Sequence, residues 1–444
     1  MVEEISYKPI VTIVGRPNVG KSTLFNRISG KRTAITSEEP GTTRDRLYDA
    51  VTWNKKEFIL VDTAGIETEL EDELAEDIRM QIDVALDEAD YFVFAVDAQT
   101  GITPQDEAAA EKLRKLNKPC ILIVNKVDNP EIEKELSEFY SLGLGEPYPV
   151  SAIHGRGIGD FLDKLIKDLK SIAGKKIEIP DADISIALVG RPNVGKSSII
   201  NQISGQKRAI VSDIPGTTRD INIIYDQIDD LKTKIIDTAG IRRRGKIGTG
   251  IEKFSVLRAF KAVDSSDTTL LILDATEGVV AQDLHIAGFT KDLGKGLIII
   301  VNKWDLIEKD EKTMDKYLAM LRSKFDFVYF APVIFASALT GKNIDKIGPL
   351  VKHIFDEQNK KISTSKINSL IEKLILKRPP GMKRGIRPKL FYTTQTGVKP
   401  PTFTIFSNHP EMIHFSYMRY LENNFRAEFG FDGTPIKFIL KERA

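Results

Sequence analysis

A lysine and a hydroxyl residue closing a glycine-bounded loop form a device for holding phosphate. Gly15-Arg16-Pro17-Asn18-Val19-Gly20-Lys21-Ser22 has the spacing G-x-x-x-x-G-K-S. Its glycines let the backbone turn tightly, so that N–H groups point inward at an anion. Lys21 can reach the outer phosphates, and the Ser22 hydroxyl can bind the magnesium ion that accompanies them. The same eight letters return at Gly190-Arg191-Pro192-Asn193-Val194-Gly195-Lys196-Ser197, 175 residues later. A chance glycine turn does not repeat letter for letter.

Three further motifs recur in the same order. Pro40-Gly41-Thr42-Thr43-Arg44-Asp45 returns from Pro215 to Asp220, and a hydroxyl of Thr43 or Thr218 can complete a magnesium shell when a third phosphate is present. Asp62-Thr63-Ala64-Gly65-Ile66 returns as Asp237-Thr238-Ala239-Gly240-Ile241. The aspartate can hold the metal, usually through water, and the glycine N–H can meet the terminal phosphate. Asn125-Lys126-Val127-Asp128 returns as Asn302-Lys303-Trp304-Asp305. Asp128 or Asp305 can accept two N–H bonds from the Watson–Crick edge of guanine, which adenine cannot offer, and a site built on such bonds rejects the wrong base. Asn125 and Lys126 are expected to tie this loop to the phosphate loop. Ser151-Ala152 and Ser337-Ala338 are expected to add backbone contacts to the base. These residues imply GTP or GDP as ligand and Ser22, Thr43, Asp62, Ser197, Thr218 and Asp237 as candidate magnesium ligands.

The elements that must position these residues are legible as short apolar runs. Ile10 to Val14, Phe58 to Val61, Tyr91 to Val96 and Cys120 to Val124 read as buried strands. Thr23 to Ile28, Leu74 to Leu86 and Gln105 to Leu116 read as helices. Such alternation predicts a mostly parallel sheet with helices on both faces, and the motifs fall just after strand C-termini, where such sheets bind ligands. The late motifs of the second copy are displaced by a longer insertion. The expected organisation is a first α/β nucleotide domain over 1–172, a linker over 173–183, a second domain over 184–352 and a small α+β unit over 353–444. In that last unit Ile362 to Leu376 reads as an amphipathic helix, Lys389 to Thr394, Thr402 to Phe406 and Pro435 to Leu440 as strands, and Pro410 to Phe429 as a helix.

Charge separates the last unit from the rest. The net charge of the 444 residues is +1, but from His353 onward 16 Lys and Arg face 8 Asp and Glu. A basic tail on an acidic body suggests a polyanionic partner. The lone cysteine, Cys120, excludes a disulfide within one chain and reads as a small core residue. No apolar run has the length of a membrane span and no signal peptide is visible, so no membrane partner and a cytoplasmic location are expected.

The ordered set of phosphate loop, GTTRD, DTAG, NKxD and SA resembles the GTPase superfamily, and two such domains before a small basic unit look like the EngA (Der) family of bacterial ribosome-assembly GTPases. The resemblance spans nearly the whole chain. It implies two tandem P-loop GTPase domains followed by a KH-like domain, and GTP hydrolysis at both sites. It further implies a monomer that matures the large (50S) ribosomal subunit, touching its RNA and proteins under nucleotide control. Many GTPases place a glutamine after DTAG to orient water; here Ile66 and Ile241 stand there and cannot do so. By resemblance, Asn18 and Asn193 help bind a potassium ion beside the phosphates, although both also suit a plain turn. The candidate catalytic residues are thus Asn18, Lys21, Thr43 and Gly65, with Asn193, Lys196, Thr218 and Gly240. The segment after the second DTAG is basic (Arg242, Arg243, Arg244, Lys246) and that after the first is acidic (Glu67, Glu69, Glu71), which reads either as an RNA-contacting switch or as two solvated loops. The tail has no G-x-x-G; Gly381 and Gly385 are separated by three residues, so an ordinary KH grip on RNA is not expected, and its 12 Phe and Tyr read chiefly as core. Two rivals share these motifs: a GTPase serving tRNA modification, and a nucleotide sensor with one silent site.

Overall fold

The computed structural model describes residues 8–30, 48–62, 89–128, 132–172, 182–203, 210–212, 222–228, 231–237, 256–308, 310, 312–382 and 386–442. They form two compact units that divide between Ile177 and Glu178.

The first unit is built on β1 (Ile10–Val14), β2 (Tyr48–Trp53), β3 (Lys56–Asp62), β4 (Tyr91–Asp97), β5 (Cys120–Asn125) and β6 (Pro147–Pro149), with α1 (Lys21–Ile28), α2 (Pro104–Leu116) and α3 (Ile158–Ile172). The strands lie in the order β2-β3-β1-β4-β5-β6. Among the described strands of this unit only β2 is antiparallel, because a tight turn at Asn54 and Lys55 joins it directly to β3. Alternation of side chains sends Val11, Val93, Ile121 and Ile123 to one face, packed on α1 and on Phe161, Leu162 and Leu165 of α3. Phe92, Phe94, Leu122 and Val124 face the other way, against Ala110 and Leu113 of α2 and against Phe139 and Leu142. Both faces are therefore covered, as the unbroken apolar runs require.

The second unit repeats this plan with β7 (Ile184–Val189), α4 (Lys196–Ile203), β8 (Ile210–Ser212), β9 (Asn222–Ile228), β10 (Leu231–Asp237), α5 (Val256–Asp264), β11 (Thr268–Asp274), α6 (Ala281–Asp292) and β12 (Gly296–Asn302). The sheet order is β13-β12-β11-β7-β10-β9-β8, where β13 is Val333–Phe335. The longer insertion folds as α7 (Thr313–Lys324), where the first unit has a 3-10 stretch over Ile132–Leu142. The helix α8 (Ile347–Asn359) runs without a break through residue 352 and buries Ile347, Val351 and Ile354 on the sheet.

The remaining residues form α9 (Thr364–Lys377), β14 (Leu390–Gly397), β15 (Thr402–Ser407), α10 (Phe415–Phe429) and β16 (Lys437–Glu442). The three strands order as β14-β15-β16, the first pair antiparallel and the second parallel. The expected helix from Pro410 onward is two pieces: a 3-10 turn over Pro410–Met412, then α10. Extended backbone at Ile413 sends its side chain into the core, and the His414 ring nitrogen accepts from the Ser416 N–H to start the helix afresh.

This C-terminal subdomain is fused to the second sheet. Leu297 at the start of β12 donates to the Gly433 carbonyl at 2.8 Å, and Gly433 donates to Phe330 at 2.9 Å. Glu357 of α8 accepts from the Phe431 N–H at 2.5 Å, and Lys360 donates to the Phe429 carbonyl at 2.6 Å. Arg426 lies over the Phe330 ring at 4.9 Å.

Candidate functional site

Each octet bridges a strand and a helix at the centre of its sheet. β1 lies between β3 and β4, and β7 between β10 and β11, so the loop emerges with strand ends on either side. The loop glycines have no room for a side chain. A Cβ on Gly15 would strike the Ala95 carbonyl oxygen, and one on Gly190 would strike that of Ile272. Asn18 and Asn193 hold left-handed φ of 66° and 61°, which asparagine tolerates better than most residues. Lys21, almost fully buried, curls over the loop and donates to the Gly15 carbonyl at 2.6 Å and the Arg16 carbonyl at 3.2 Å. Lys196 does the same to Gly190 at 2.9 Å and Arg191 at 2.7 Å. Gly20 precedes α1 with no side-chain cap, which leaves the positive helix end to an anion. Ser22 and Ser197 follow the lysines in the first turn. Asp62 and Asp237 end the adjacent strands, 4% and 0% exposed, in register with Ile13 and Leu188. Buried carboxylates beside an anion cradle suit a cation bound between the two. Among the described residues, no group of three His, Cys, Asp or Glu side chains forms a separate metal site.

The NKxD loop is locked to the phosphate loop by one amide. Asn125 donates to the Val19 carbonyl at 2.8 Å and accepts from the Ala152 N–H at 3.0 Å. Asn302 donates to Val194 at 2.7 Å and accepts from Ala338 at 2.9 Å. NKxD, SA and octet thus meet at a buried side chain that uses its donor and its acceptor together. Lys126, with φ 67°, places its ammonium 2.6 Å from Asp97 at the end of β4. Lys303, with φ 58°, meets Asp274 at 2.6 Å. Burial opposes the charge on these two aspartates, but the lysine together with N–H and hydroxyl donors outweighs it, and both carboxyls sit below their ordinary range. The Asp128 carboxylate accepts from the Ser151 hydroxyl at 2.6 Å. On Asp305 one oxygen is buried without a hydrogen-bond donor, a gap that guanine N–H groups fit.

Sequence reasoning missed Asp97 and Asp274, and also Asp106 and Asp283. Asp106 receives Arg16 of the phosphate loop at 3.2 Å, and Asp283 stands 3.5 Å from Arg191. The signal was available, since all four recur with the same 177-residue offset as NKxD. The residues Thr43, Thr63 to Ile66, Thr218 and Thr238 to Ile241 lie outside the described residues, as do the acidic and basic segments after them and the predicted helix from Leu74 to Leu86.

In the C-terminal subdomain Phe403, Phe425 and Phe431 are fully buried, as a core reading expects. Phe391 and Tyr392 are the exceptions, at 43% and 41% exposure on β14, with Tyr392 stacked on Phe406 at 4.3 Å. Among the described residues no helix is long and apolar enough to cross a membrane. Cys120 packs partly buried against the first core, and burial pushes its thiol up to about 12.

A mostly parallel sheet with a phosphate loop at its centre and an adjoining NKxD loop is the arrangement of a P-loop GTPase, here present twice in one chain. Residues 10–126 and 185–303 match the family described as "50S ribosome-binding GTPase", and 361–441 match the "KH-domain-like of EngA bacterial GTPase enzymes, C-terminal". The chain is 48% identical to GTPase Der of Listeria welshimeri over 98% of its own length and 99% of that protein's. It is 48% identical to GTPase Der of Pelotomaculum thermopropionicum, with the same coverage of both chains. A crystal structure of Aquifex aeolicus Era bound to GDP.AlF4- is 23% identical with a TM-score of 0.30, covering 58% of this chain and 92% of that one. The chain belongs to the EngA (Der) family and is a GTP-hydrolysing enzyme.

Proposed function

We propose that the protein acts as a monomeric, cytoplasmic assembly factor of the large (50S) ribosomal subunit, with two GTP sites controlling when it binds and leaves. The observation that carries this reading is the full duplication of the guanine site within one chain of this family. Each copy has its own octet, buried lysine and asparagine bridge. Two complete sites favour catalysis at both over a silent sensor, and the duplication disfavours a single-domain tRNA-modification GTPase.

At each site the chain's residues bind and orient. Asp128 and Asp305 take the guanine edge, and Asn125 and Asn302 hold the base loop at a fixed distance from the phosphate loop. Lys21 and Lys196, already over the loop carbonyls, place a positive charge where the outer phosphates lie. Ser22, Thr43 and Asp62, or Ser197, Thr218 and Asp237, would hold a magnesium ion, which would supply neutralisation of phosphate charge. Asn18 and Asn193 would help hold a potassium ion, which would supply the further positive charge that an arginine finger gives elsewhere. Gly65 and Gly240 report the terminal phosphate to the segments that follow. The basic C-terminal subdomain and the Arg242 to Arg244 segment meet ribosomal RNA.

The test is sedimentation of the protein with separated ribosomal subunits in GDP or a non-hydrolysable GTP analogue. Co-migration with the large subunit in one nucleotide state is expected. Equal binding in both states, or binding to neither subunit, overturns the switch. Hydrolysis in potassium and sodium chloride at matched ionic strength tests the cation, and equal rates remove it from the account.

A further inference from the structure

The arginine of each octet has a task that the phosphate-loop pattern does not contain. Arg16 is only 15% exposed although Pro17 and Asn18 beside it face solvent. Its Nε donates to Asp106 at 3.2 Å, and a second guanidinium nitrogen donates to the Thr100 hydroxyl at 2.9 Å. Asp106 is completely buried, in the first turn of α2. The same carboxylate oxygen also accepts from the Thr103 N–H at 3.0 Å and the Thr103 hydroxyl at 2.7 Å. The Arg16 carbonyl accepts from Lys21. One residue therefore joins the phosphate-binding lysine, through its backbone, to the start of α2, through its side chain.

The second domain has the same arginine and aspartate but different neighbours. Thr100 is replaced by Glu277 and Thr103 by Val280 at the 177-residue offset. Arg191 is drawn to the exposed Glu277 at 2.5 Å and the Gly278 carbonyl at 3.0 Å. Among the described residues its Nε, 3.5 Å from Asp283, makes no hydrogen bond, and the wholly buried Asp283 side chain accepts only from the Val280 N–H, at 3.2 Å. A valine cannot supply the hydroxyl bond that Thr103 gives.

We propose that Arg16 and Arg191 are positioning residues that clamp each phosphate loop to the helix that follows the neighbouring strand, α2 after β4 and α6 after β11, through Asp106 and Asp283, and thereby set nucleotide retention. The proposal rests on the reading of the octets as nucleotide sites. The second clamp is also proton-sensitive. Burial raises the Asp283 carboxyl to about 6 against the pull of the Val280 N–H and Arg191. Glu277 adds to the rise, Lys324 of α7 opposes it, and Tyr317 of α7 lies near the same group. Below that value Asp283 is neutral and loses its hold on Arg191.

The test is release of a fluorescent N-methylanthraniloyl GDP from the full chain. The first site is read in a Lys196→Ala background and the second in a Lys21→Ala background. A background that binds no nucleotide overturns the reading of that octet and the clamp with it. Where it binds, Arg16→Ala and Arg191→Ala are expected to speed release on the order of tenfold, the scale of a lost charged hydrogen bond. Arg16→Lys is expected to fail as a rescue, because an ammonium cannot span Asp106 and Thr100 together. Lowering the pH from about 7.5 to about 5.5 is expected to speed release from the second site, and Asp283→Asn to abolish that dependence. Glu277→Thr with Val280→Thr, which rebuilds the first clamp in the second domain, is expected to flatten the profile. Unchanged release in both arginine variants, or a pH profile untouched by Asp283→Asn, overturns the proposal.

Discussion

The two GTPase domains carry identical octets, yet they brace them differently. In the first, Arg27 of α1 donates to the Ala152 carbonyl at 2.7 Å and also to that of Ile153, and Ser151 holds Asp128. In the second, Gln202 stands in place of Arg27 and makes one bond of 3.3 Å to Ala338. The Ser337 hydroxyl accepts from the Thr340 N–H, whereas an Asp305 oxygen stays bare. The arginine clamps differ in the same sense. Identical letters around the phosphates thus sit in a tightly cross-braced frame in one domain and a looser one in the other. What can distinguish the two sites lies in the second layer of residues, which no phosphate-loop pattern includes.

The largest expected effect asks whether the asparagine bridges are equivalent. Asn125→Ala and Asn302→Ala each leave a buried carbonyl and a buried N–H without partners, about 1–3 kcal/mol for each group. Each variant should lower the unfolding free energy of its own domain and weaken GDP binding there, by calorimetry. A loss confined to one domain would break the symmetry of the bridge.

The base loops should separate next. Ser151→Ala removes the donor that orients Asp128, and should weaken GDP binding at the first site by about tenfold or less, as for one charged hydrogen bond. Ser337→Ala should leave the second site nearly unchanged. Equal losses would mean that the bare Asp305 oxygen is filled by Ser337 once nucleotide binds.

The smallest effect concerns acid. The Asp97 and Asp274 carboxyls titrate below the ordinary 3.8, so their contribution to stability is present above that value and is lost as the pH falls through their lower folded values. Asp97→Asn and Asp274→Asn should therefore destabilise at neutral pH, and their deficit should shrink between about pH 5 and about pH 2 in urea melts. A deficit independent of pH would assign the pairs with Lys126 and Lys303 a packing role instead.

Much of this was legible in the sequence because the chemistry is local. Octet, strand and helix are neighbours along the chain, and the apolar runs of β1, β4 and β5 admit no polar face. The duplication then excluded accident. What escaped was the pairing of residues far apart. Arg16 meets Asp106 across 90 positions and Lys126 meets Asp97 across 29, and no spacing rule links an arginine in a loop to a capping carboxylate on a later helix. The pair of Lys126 with Asp97 escaped for the same reason, since the strand end that Asp97 occupies is not part of the NKxD motif. The break at Ile413 and His414 was hidden because a helical pattern of side chains continued across it.

The central claim is that one chain holds two complete and separate guanine-nucleotide sites. Equilibrium binding of GDP to purified full-length protein tests it most directly. Two nucleotides per chain are expected for the parent, one for each of Lys21→Ala and Lys196→Ala, and none for the double variant. One nucleotide per chain in the parent, or a loss of both on changing either lysine alone, would contradict it.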